Sequence, residues 1–268
     1  MTELRYINLG SVDSNHFYTS WEYSRIYDIT TPTLFAVMPN KTLVDVHYKN
    51  KLEDYLNLDE ISEDVDIIRS FDKTTNNLDT TIVWDPATVW YTLHIKLTGD
   101  NIERQKSNIE RKFSSATIKV LRERGLKCFC DLRGNDLLFI SNGKTRKFGC
   151  FLWLDWGNNN YMFGMMVSFR INTDLMNKVF KFDNDKYNNK IDFTGDMNDL
   201  LGSILDEKPD LDIENVIKDI AYEFSKGVNL NIIDDTLNDS EVKRLNKLAE
   251  GLKSEDWSLR GIHPEVKN

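Results

Sequence analysis

Residues 135–171 read NDLLFISNGKTRKFGCFLWLDWGNNNYMFGMMVSFRI, and this stretch decides the fold class. Asp136 to Ile140, Arg146 to Trp156 and Tyr161 to Ile171 alternate apolar with polar residues or run apolar, as strands do. Ser141-Asn142-Gly143 and Gly157-Asn158-Asn159 separate them. Asn and Gly tolerate the positive φ that tight hairpin turns require. One strand further back, Leu126 to Cys130 leads into the same pattern through Arg133-Gly134-Asn135. The spacing predicts an antiparallel meander, with Arg146 to Trp156 and Tyr161 to Ile171 paired around 157–160.

On its N-terminal side, Ile109, Phe113, Ala116 and Val120 follow helical spacing, and Gly125 is placed to end that helix in a left-handed conformation. Residues up to about 100 read as mixed strand and loop. Thr33 to Met38 is a short apolar strand between Pro32 and Pro39. Val89, Tyr91, Leu93, Ile95 and Leu97 alternate with Trp90, Thr92, His94 and Lys96, so that strand has two different faces. Asp72 to Thr81 and Lys181 to Lys190 are polar and Asn-rich, which predicts exposed loops. On the C-terminal side, about 210–260 is helical. Ile213, Val216, Ile217, Ile220, Ala221 and Phe224 form one stripe, with Asp212 as N-cap and Gly227 just past the end. Val242, Leu245, Leu248, Ala249 and Leu252 form another, opened by a capping box of Asn238 and Glu241. A sheet with helices packed on it is an α+β fold, expected here as one domain over 1–268.

Composition narrows the function classes. The chain has 268 residues, 40% of them apolar and 29% charged, which is globular territory. No apolar run approaches the roughly 20 residues that span a bilayer, and Glu3 and Arg5 interrupt any secretory h-region. Three cysteines are too few for a disulfide framework and fit a reducing compartment. The expected location is the cytoplasm, a mitochondrial matrix or the cytoplasm of an infected cell, and not the secretory route. A net charge of −9 argues against nucleic acid as the default partner, although Arg104 to Lys127 carries a local run of cations that reads as a solvated helix face. Cys128 and Cys130 share a strand face with Cys150 expected beside them. None of the four histidines has ligand-like spacing to these thiols, so no metal site is expected.

The order of these pieces resembles the lipoate–protein ligase A family and its lipoyl and octanoyl transferase relatives, over about residues 14 to 261. Asn135-Asp136-Leu137-Leu138, Asn142-Gly143-Lys144 and Lys147-Phe148 resemble the family's Asn-Asp strand, Asn-Gly turn and the lysine that opens a Lys-Ile-Ser-Gly segment. Leu205 to Pro209, the helix after it, and Leu237 through Glu241 to Trp257 are similar to the family's C-terminal pattern. Asp85-Pro86-Ala87, Val89 and Tyr91-Thr92 look like the segment where its glycine-rich loop enters a strand. The resemblance implies a mixed sheet flanked by helices, of the biotin/lipoate-ligase type. It implies Lys147 as the catalytic candidate, stabilising charge on an acyl-adenylate. It also implies Arg69, Asp85, Asn135, Asp136 and Gly143 as substrate-binding positions. An active member would use lipoyl- or octanoyl-adenylate and acylate a lysine on a lipoyl carrier domain, of the glycine-cleavage H protein or of a 2-oxoacid dehydrogenase.

Departures from the pattern turn the expectation toward a non-catalytic relative. The family's loop Arg-Arg-x-Ser-Gly-Gly-Gly brings backbone N–H groups close to phosphate, which glycine permits. Here 68–85 contains no glycine, keeps one arginine (Arg69) and adds Asp72 and Asp79, whose carboxylates would repel phosphate. The family's His-Asp step is Trp84-Asp85, and its His-His-Gly is Met162-Phe163-Gly164. The small accessory domain that self-activating ligases carry after the Glu-Trp ending is not expected between Trp257 and Asn268. Lys147 is open to the alternative of a plain hairpin lysine beside Lys144 and Arg146. The aromatics Trp84, Trp90, Tyr91, Phe148, Phe151, Trp153, Trp156, Tyr161 and Phe163 either fill the tunnel a cofactor would occupy or form an exposed patch, with Trp153 and Trp156 its foremost members. No cofactor is expected on this reading, and a protein partner or an assembly is.

Overall fold

A computed structural model describes residues 3–70, 81–133, 135–181, 196–254 and 257. An eight-stranded sheet has the order β11-β1-β2-β6-β10-β9-β8-β7. Its strands are β1 (Glu3–Val12), β2 (Thr33–Pro39), β6 (Thr88–Lys96), β7 (Cys128–Asp131), β8 (Asp136–Ser141), β9 (Lys144–Gly157), β10 (Asn160–Ser168) and β11 (Asn231–Asp234). A three-stranded sheet, β4-β3-β5, is built from β3 (Thr42–His47), β4 (Val65–Ser70) and β5 (Thr81–Trp84). The α+β expectation therefore holds, and the sheet is mixed: β2-β6-β10-β9-β8-β7 runs antiparallel while β11, β1 and β2 pair parallel.

The meander forms as its turn residues dictate. Asn142 and Gly143 take φ of +49° and +77°, the pair of positive values a two-residue hairpin needs. Gly157, Asn158 and Asn159 lie at +81°, +52° and +63°, and they fold β10 back on β9 as the expected antiparallel pair; a one-residue shift between Asn160 and Tyr161 then sets Phe163 opposite Trp153. Both ends of the predicted strands shift slightly: β7 starts at Cys128 and β10 stops at Ser168. The loops expected over 72–81 and 181–190 lie almost wholly outside the described residues, as does Gly134; Thr81 already opens β5.

Two cores lie on opposite faces of the large sheet. On one face the helices Ile102–Glu123 and Ile213–Gly227 pack together, Phe113 stacked on Phe224 with ring centroids 4.3 Å apart. Leu4, Tyr91, Leu93, Phe148, Phe151 and Phe163 lie beneath them. The other face is covered by the small sheet, the short helix Ser14–Thr19 and the helix Asp239–Leu252, over Trp90, Leu154, Met162 and Met166. Alternation along β6 sends Tyr91 to the first core and Trp90 to the second, so this strand is buried on both sides.

Helix ends follow side-chain chemistry. Asp212 accepts from the Asn215 N–H, and Asn238 with Glu241 forms the complete capping box. Gly227 is the last helical residue and not a cap; Asn229 instead takes the left-handed conformation, φ +54°. Val242 is 39% exposed and falls outside the stripe that Leu245, Leu248 and Leu252 bury.

Candidate functional site

The β8–β9 hairpin positions the first group of candidates. Between Leu137 and Leu138 the register slips by one residue, leaving Phe148 as the extra member of β9. Lys147 then faces β8, and its ammonium meets the Asp136 carboxylate at 2.6 Å, the two side chains 34% and 28% exposed. Burial opposes the charge on Lys147, but Asp136, joined by Cys150 once that thiol ionises, holds the pKa above the ordinary lysine value. Cys150 stands opposite Asp136, and burial pushes its thiol up, so at neutral pH it is protonated. The Lys147 carbonyl accepts from the Gly202 N–H at 3.0 Å, which anchors the hairpin to the chain beyond β10. Gly149 is required here, since a Cβ on it would lie 2.2 Å from the Met166 carbonyl oxygen. Asn135 sits at the turn into β8 with φ +57°, its carbonyl accepting from Phe151 N–H at 3.2 Å. Gly143 serves the hairpin turn and faces open space.

The second group lies on the small sheet. Arg69 is 2% exposed, and its guanidinium donates to the Asn50 carbonyl at 2.8 Å and the His47 carbonyl at 3.4 Å. Burial lowers its pKa, with Glu53 and Asp45 acting in the opposite direction. Asp85, 6% exposed, accepts from Asn172 N–H at 2.6 Å and from the Thr42 hydroxyl at 3.2 Å. Burial raises its pKa against those bonds. The structure thus ties Arg69 and Asp85 to backbone groups of the small sheet and the Asn172 turn. Lys147 and Asp136 are tied to each other.

Between the two sheets lies a cluster of tryptophans. Trp21 sits 4.8 Å from Trp90 and 5.8 Å from Trp84, and Trp84 sits 5.1 Å from Trp90, measured between ring centroids. Tyr18 stacks on Trp21 at 5.8 Å, and Trp257 closes over Tyr18 at 5.9 Å. Gly164 makes the packing possible: a Cβ there would come 2.1 Å from the Trp90 ring. The indole N–H groups of Trp21, Trp84 and Trp90 are buried and make no hydrogen bond of good geometry. Asp45 lies next to them, fully enclosed, and burial lifts its pKa to about 7, against the opposing influence of Ser70, Trp84 and Arg69. Beside the cluster a cleft of about 270 Å³ is lined by Ser14, Asn15, Asp66, Lys253 and Trp257, among others.

The nine aromatics predicted to share one pocket therefore divide. Tyr91, Phe148, Phe151, Trp153, Tyr161 and Phe163 face the helices, while Trp90 and Trp156 point from the large sheet, and Trp84 from β5 of the small sheet, into the core between the two sheets. Period-2 alternation forces this division, since residues one apart on a strand point to opposite faces. Trp153 and Trp156 are half-buried and not exposed; the Trp153 indole donates to Glu110 at 2.8 Å. Sequence reasoning missed Trp21, Tyr18 and Asp45. The signal for Asp45 was present, a single carboxylate inside the apolar run Leu43-Val44-Asp45-Val46.

The cysteines are all free, with Cys128 buried and Cys130 and Cys150 half-buried. Strand β8 stands between β7 and β9, and Cys150 joins the tryptophan side whereas Cys128 and Cys130 face the helices. Among the described residues no group of three or more His, Cys, Asp or Glu could hold a metal. Among them, too, no helix is long and apolar enough to cross a membrane. His94 is fully buried, its two nitrogens 2.8 Å from the Ser24 hydroxyl and the Ser20 carbonyl, and burial lowers its pKa to about 3.

No protein-family model matches the chain, and no curated protein matches it. Solved structures do. A chain of the archaeal lipoylation system of Thermoplasma acidophilum, a bipartite lipoate protein ligase studied with its lipoyl domain, superimposes with a TM-score of 0.76 at 16% identity, covering 100% of both chains. Lipoate-protein ligase A bound with ATP gives 0.72 at 14% identity, over 97% of this chain and 99% of that one. LipL1 of P. falciparum in complex with lipoate gives 0.64 at 17% identity, over 99% of this chain and 76% of that one. At such identities the likeness is one of fold: this chain has the architecture of the lipoate–protein ligases.

Proposed function

We propose, from the lipoate–protein ligase fold as premise, that this chain is a non-catalytic relative that works by binding a protein partner, alone or as a subunit of an assembly. The observation that carries the reading is the tryptophan cluster. Trp21, Trp84 and Trp90 occupy the space between the two sheets, at most 5% exposed, beside the ends of the elements that hold Arg69 and Asp85. A ligand of that face would have to displace indole rings, each worth several kcal/mol of burial (roughly 3–5 on truncation). The absence of glycine from 68–85, with Asp72 and Asp79 in the stretch, supports the same reading, because carboxylates oppose an adenylate phosphate. So do the bonds of Arg69 to the Asn50 carbonyl and of Asp85 to the Asn172 N–H and the Thr42 hydroxyl, which engage these side chains within the protein itself.

One observation favours a second reading, transfer of a lipoyl or octanoyl group to a lysine of a lipoyl carrier domain. Lys147 keeps its charge on a half-buried strand position, where a fixed cation stabilises a leaving phosphate. The structural neighbour from Thermoplasma acidophilum is a ligase studied with such a lipoyl domain.

Complementation of a lipoylation-deficient strain separates the two readings. The expected result is that neither wild type nor Lys147→Ala restores lipoylation, and that calorimetry detects no binding of ATP or a lipoyl-adenylate analogue. Rescue by wild type alone would refute the non-catalytic reading. Lys147→Ala is a clean control because its ion pair is partly exposed and contributes about 0–1 kcal/mol to stability.

A further inference from the structure

We infer that the strip along edge strand β7, from Lys127 to Arg133, is a docking surface for an acidic polypeptide segment that carries apolar side chains. The inference rests on the protein-binding reading above and names where and what that partner is.

Charge is the first observation. Residues 102–147 hold twelve Lys and Arg against five Asp and Glu, in a chain whose total is −9. The remainder of the molecule is therefore strongly acidic and this segment is basic. Some of its cations are internally neutralised: Lys119 pairs with Glu223 at 2.6 Å, Arg124 with Asp219, and Lys147 with Asp136. Arg122, Lys127 and Arg133 are exposed, and none of the three joins an ion pair among the described residues. Against them stand Glu123 and Asp131, the latter accepting from the Arg133 N–H at 3.0 Å, while the neighbouring Asp136 and Glu110 are engaged by Lys147 and by the Trp153 indole.

Apolar exposure is the second. Leu132 and Ile140 are 48% and 46% exposed, the two highest values among the large hydrophobics recorded as exposed. Ile140 lies at one end of β7, its N–H donating to the Lys127 carbonyl at 2.9 Å, and Leu132 follows the other end. The four residues of β7 lie between Lys127 and Leu132, a span of roughly 17 Å. Half-buried Phe129 stands between them and borders two clefts of about 530 and 470 Å³, both also lined by Arg122. One cleft opens toward the long helix through Ser115 and Ile118, the other toward Leu126 and Ile140. Apolar anchors with unpaired cations around them match a polypeptide with alternating apolar and acidic side chains. A phosphate backbone would use the cations and leave the anchors unused, so a protein is favoured over nucleic acid.

The edge itself does not offer a free ladder. Among the described residues β7 pairs only with β8, and Arg122 Nε donates to the outward Cys128 carbonyl at 2.8 Å. Recognition is therefore by side chains, not by addition of a full strand.

Selection from a random-peptide display library against the full chain tests this. Enriched peptides should be acidic with interspersed apolar residues. Their synthetic forms should lose at least about tenfold in affinity on Lys127→Glu/Arg133→Glu, on Leu132→Asp/Ile140→Asp, and on raising the salt. Enrichment of neutral or basic peptides, insensitivity to either double variant, or no enrichment at all would overturn the proposal. So would a single-stranded oligonucleotide whose binding responds to the charge reversal but not to Leu132→Asp/Ile140→Asp. The substituted side chains are exposed, and unfolding midpoints matching wild type establish that the variants are folded; Lys127→Gln and Leu132→Ser serve if a double variant is not. Lipoylation rescue would refute the non-catalytic reading and leave this surface standing, whereas failed peptide selection would remove the surface and leave that reading untouched.

Discussion

Asp45 and His94 are both enclosed, and burial drives them in opposite directions. Asp45 rises from 3.8 to about 7 and His94 falls from 6.5 to about 3. Between pH 3.8 and 6.5 the folded chain holds one proton more than the unfolded chain at Asp45 and one fewer at His94. Stability therefore falls with rising pH through Asp45 and rises with pH through His94, each by about 1.4 kcal/mol per unit, and the two slopes cancel. Asp45→Asn removes one slope. Urea unfolding at several pH values should show the variant losing about 1.4 kcal/mol per unit from pH 6.5 down to 4 relative to wild type; a parallel pair of curves would count against the buried protonated carboxyl. A second residue-scale test concerns Gly164. Its Cβ-free backbone lies against Trp90 inside a packed cluster, so Gly164→Ala should cost about 1–3 kcal/mol by overpacking, read as a lower unfolding midpoint. Most chemistry at this scale was not legible in sequence. Asp45 announced itself as a carboxylate in an apolar strand, but Arg69 gave no sign that its partners would be backbone carbonyls, because that depends on the path of 47–50.

At the level of elements, the meander and the terminal helices were legible because their signals are local. Asn-Gly at 142–143 fixes a hairpin whatever packs on it, and Asn238 with Glu241 fixes a helix start. β1 and β11 were not legible, since parallel pairing depends on partners more than two hundred residues apart, and neither strand has strict alternation. Glu241 joins these distant pieces. Its carboxylate receives the Asn238 N–H at 2.8 Å, an Arg5 amine at 2.8 Å and the Tyr23 hydroxyl, which links the last helix to β1 and to the turn at 23–26. Burial opposes ionisation of Glu241, but Arg5 and Tyr23 prevail and hold its pKa below the ordinary value. Glu241→Ala should then cost about 2–3 kcal/mol, since it removes the buried partner of Arg5 and Tyr23 as well as a cap while Arg5 keeps Asp235 and the Thr236 carbonyl, whereas Asn238→Ala loses only the cap, about 1 kcal/mol. Chemical denaturation of the two variants checks this. Equal losses would mean that the long-range pairs contribute nothing.

For the whole molecule, the fold and the chemistry carry separate information. The likeness to solved structures gives this chain the fold of the lipoate–protein ligases, while the side chains between the sheets determine what that face is able to admit. The aromatic count left a filled interior and an exposed patch both open, because Trp21 comes from the turn after a short helix and meets Trp84 and Trp90 only once folded, and Trp257 reaches the same cluster through Tyr18. If these rings occupy space that would otherwise receive an acyl chain, truncating one should reopen it. Trp90→Ala removes the ring that lies on Gly164 and leaves an apolar cavity bordered by Met162, Met166 and Leu154. Such cavities persist because the surroundings relax only in part, at about 3–5 kcal/mol of lost stability. Apolar cavities also stay dry and accept small hydrophobic molecules. Octanoate titrated into the variant should therefore raise its unfolding midpoint in a saturable way, with a dissociation constant in the millimolar range, on the order of −4 kcal/mol. Wild type should show no such rise. A wild type stabilised as much as the variant would mean that the face is open already, and would move the balance toward acyl transfer.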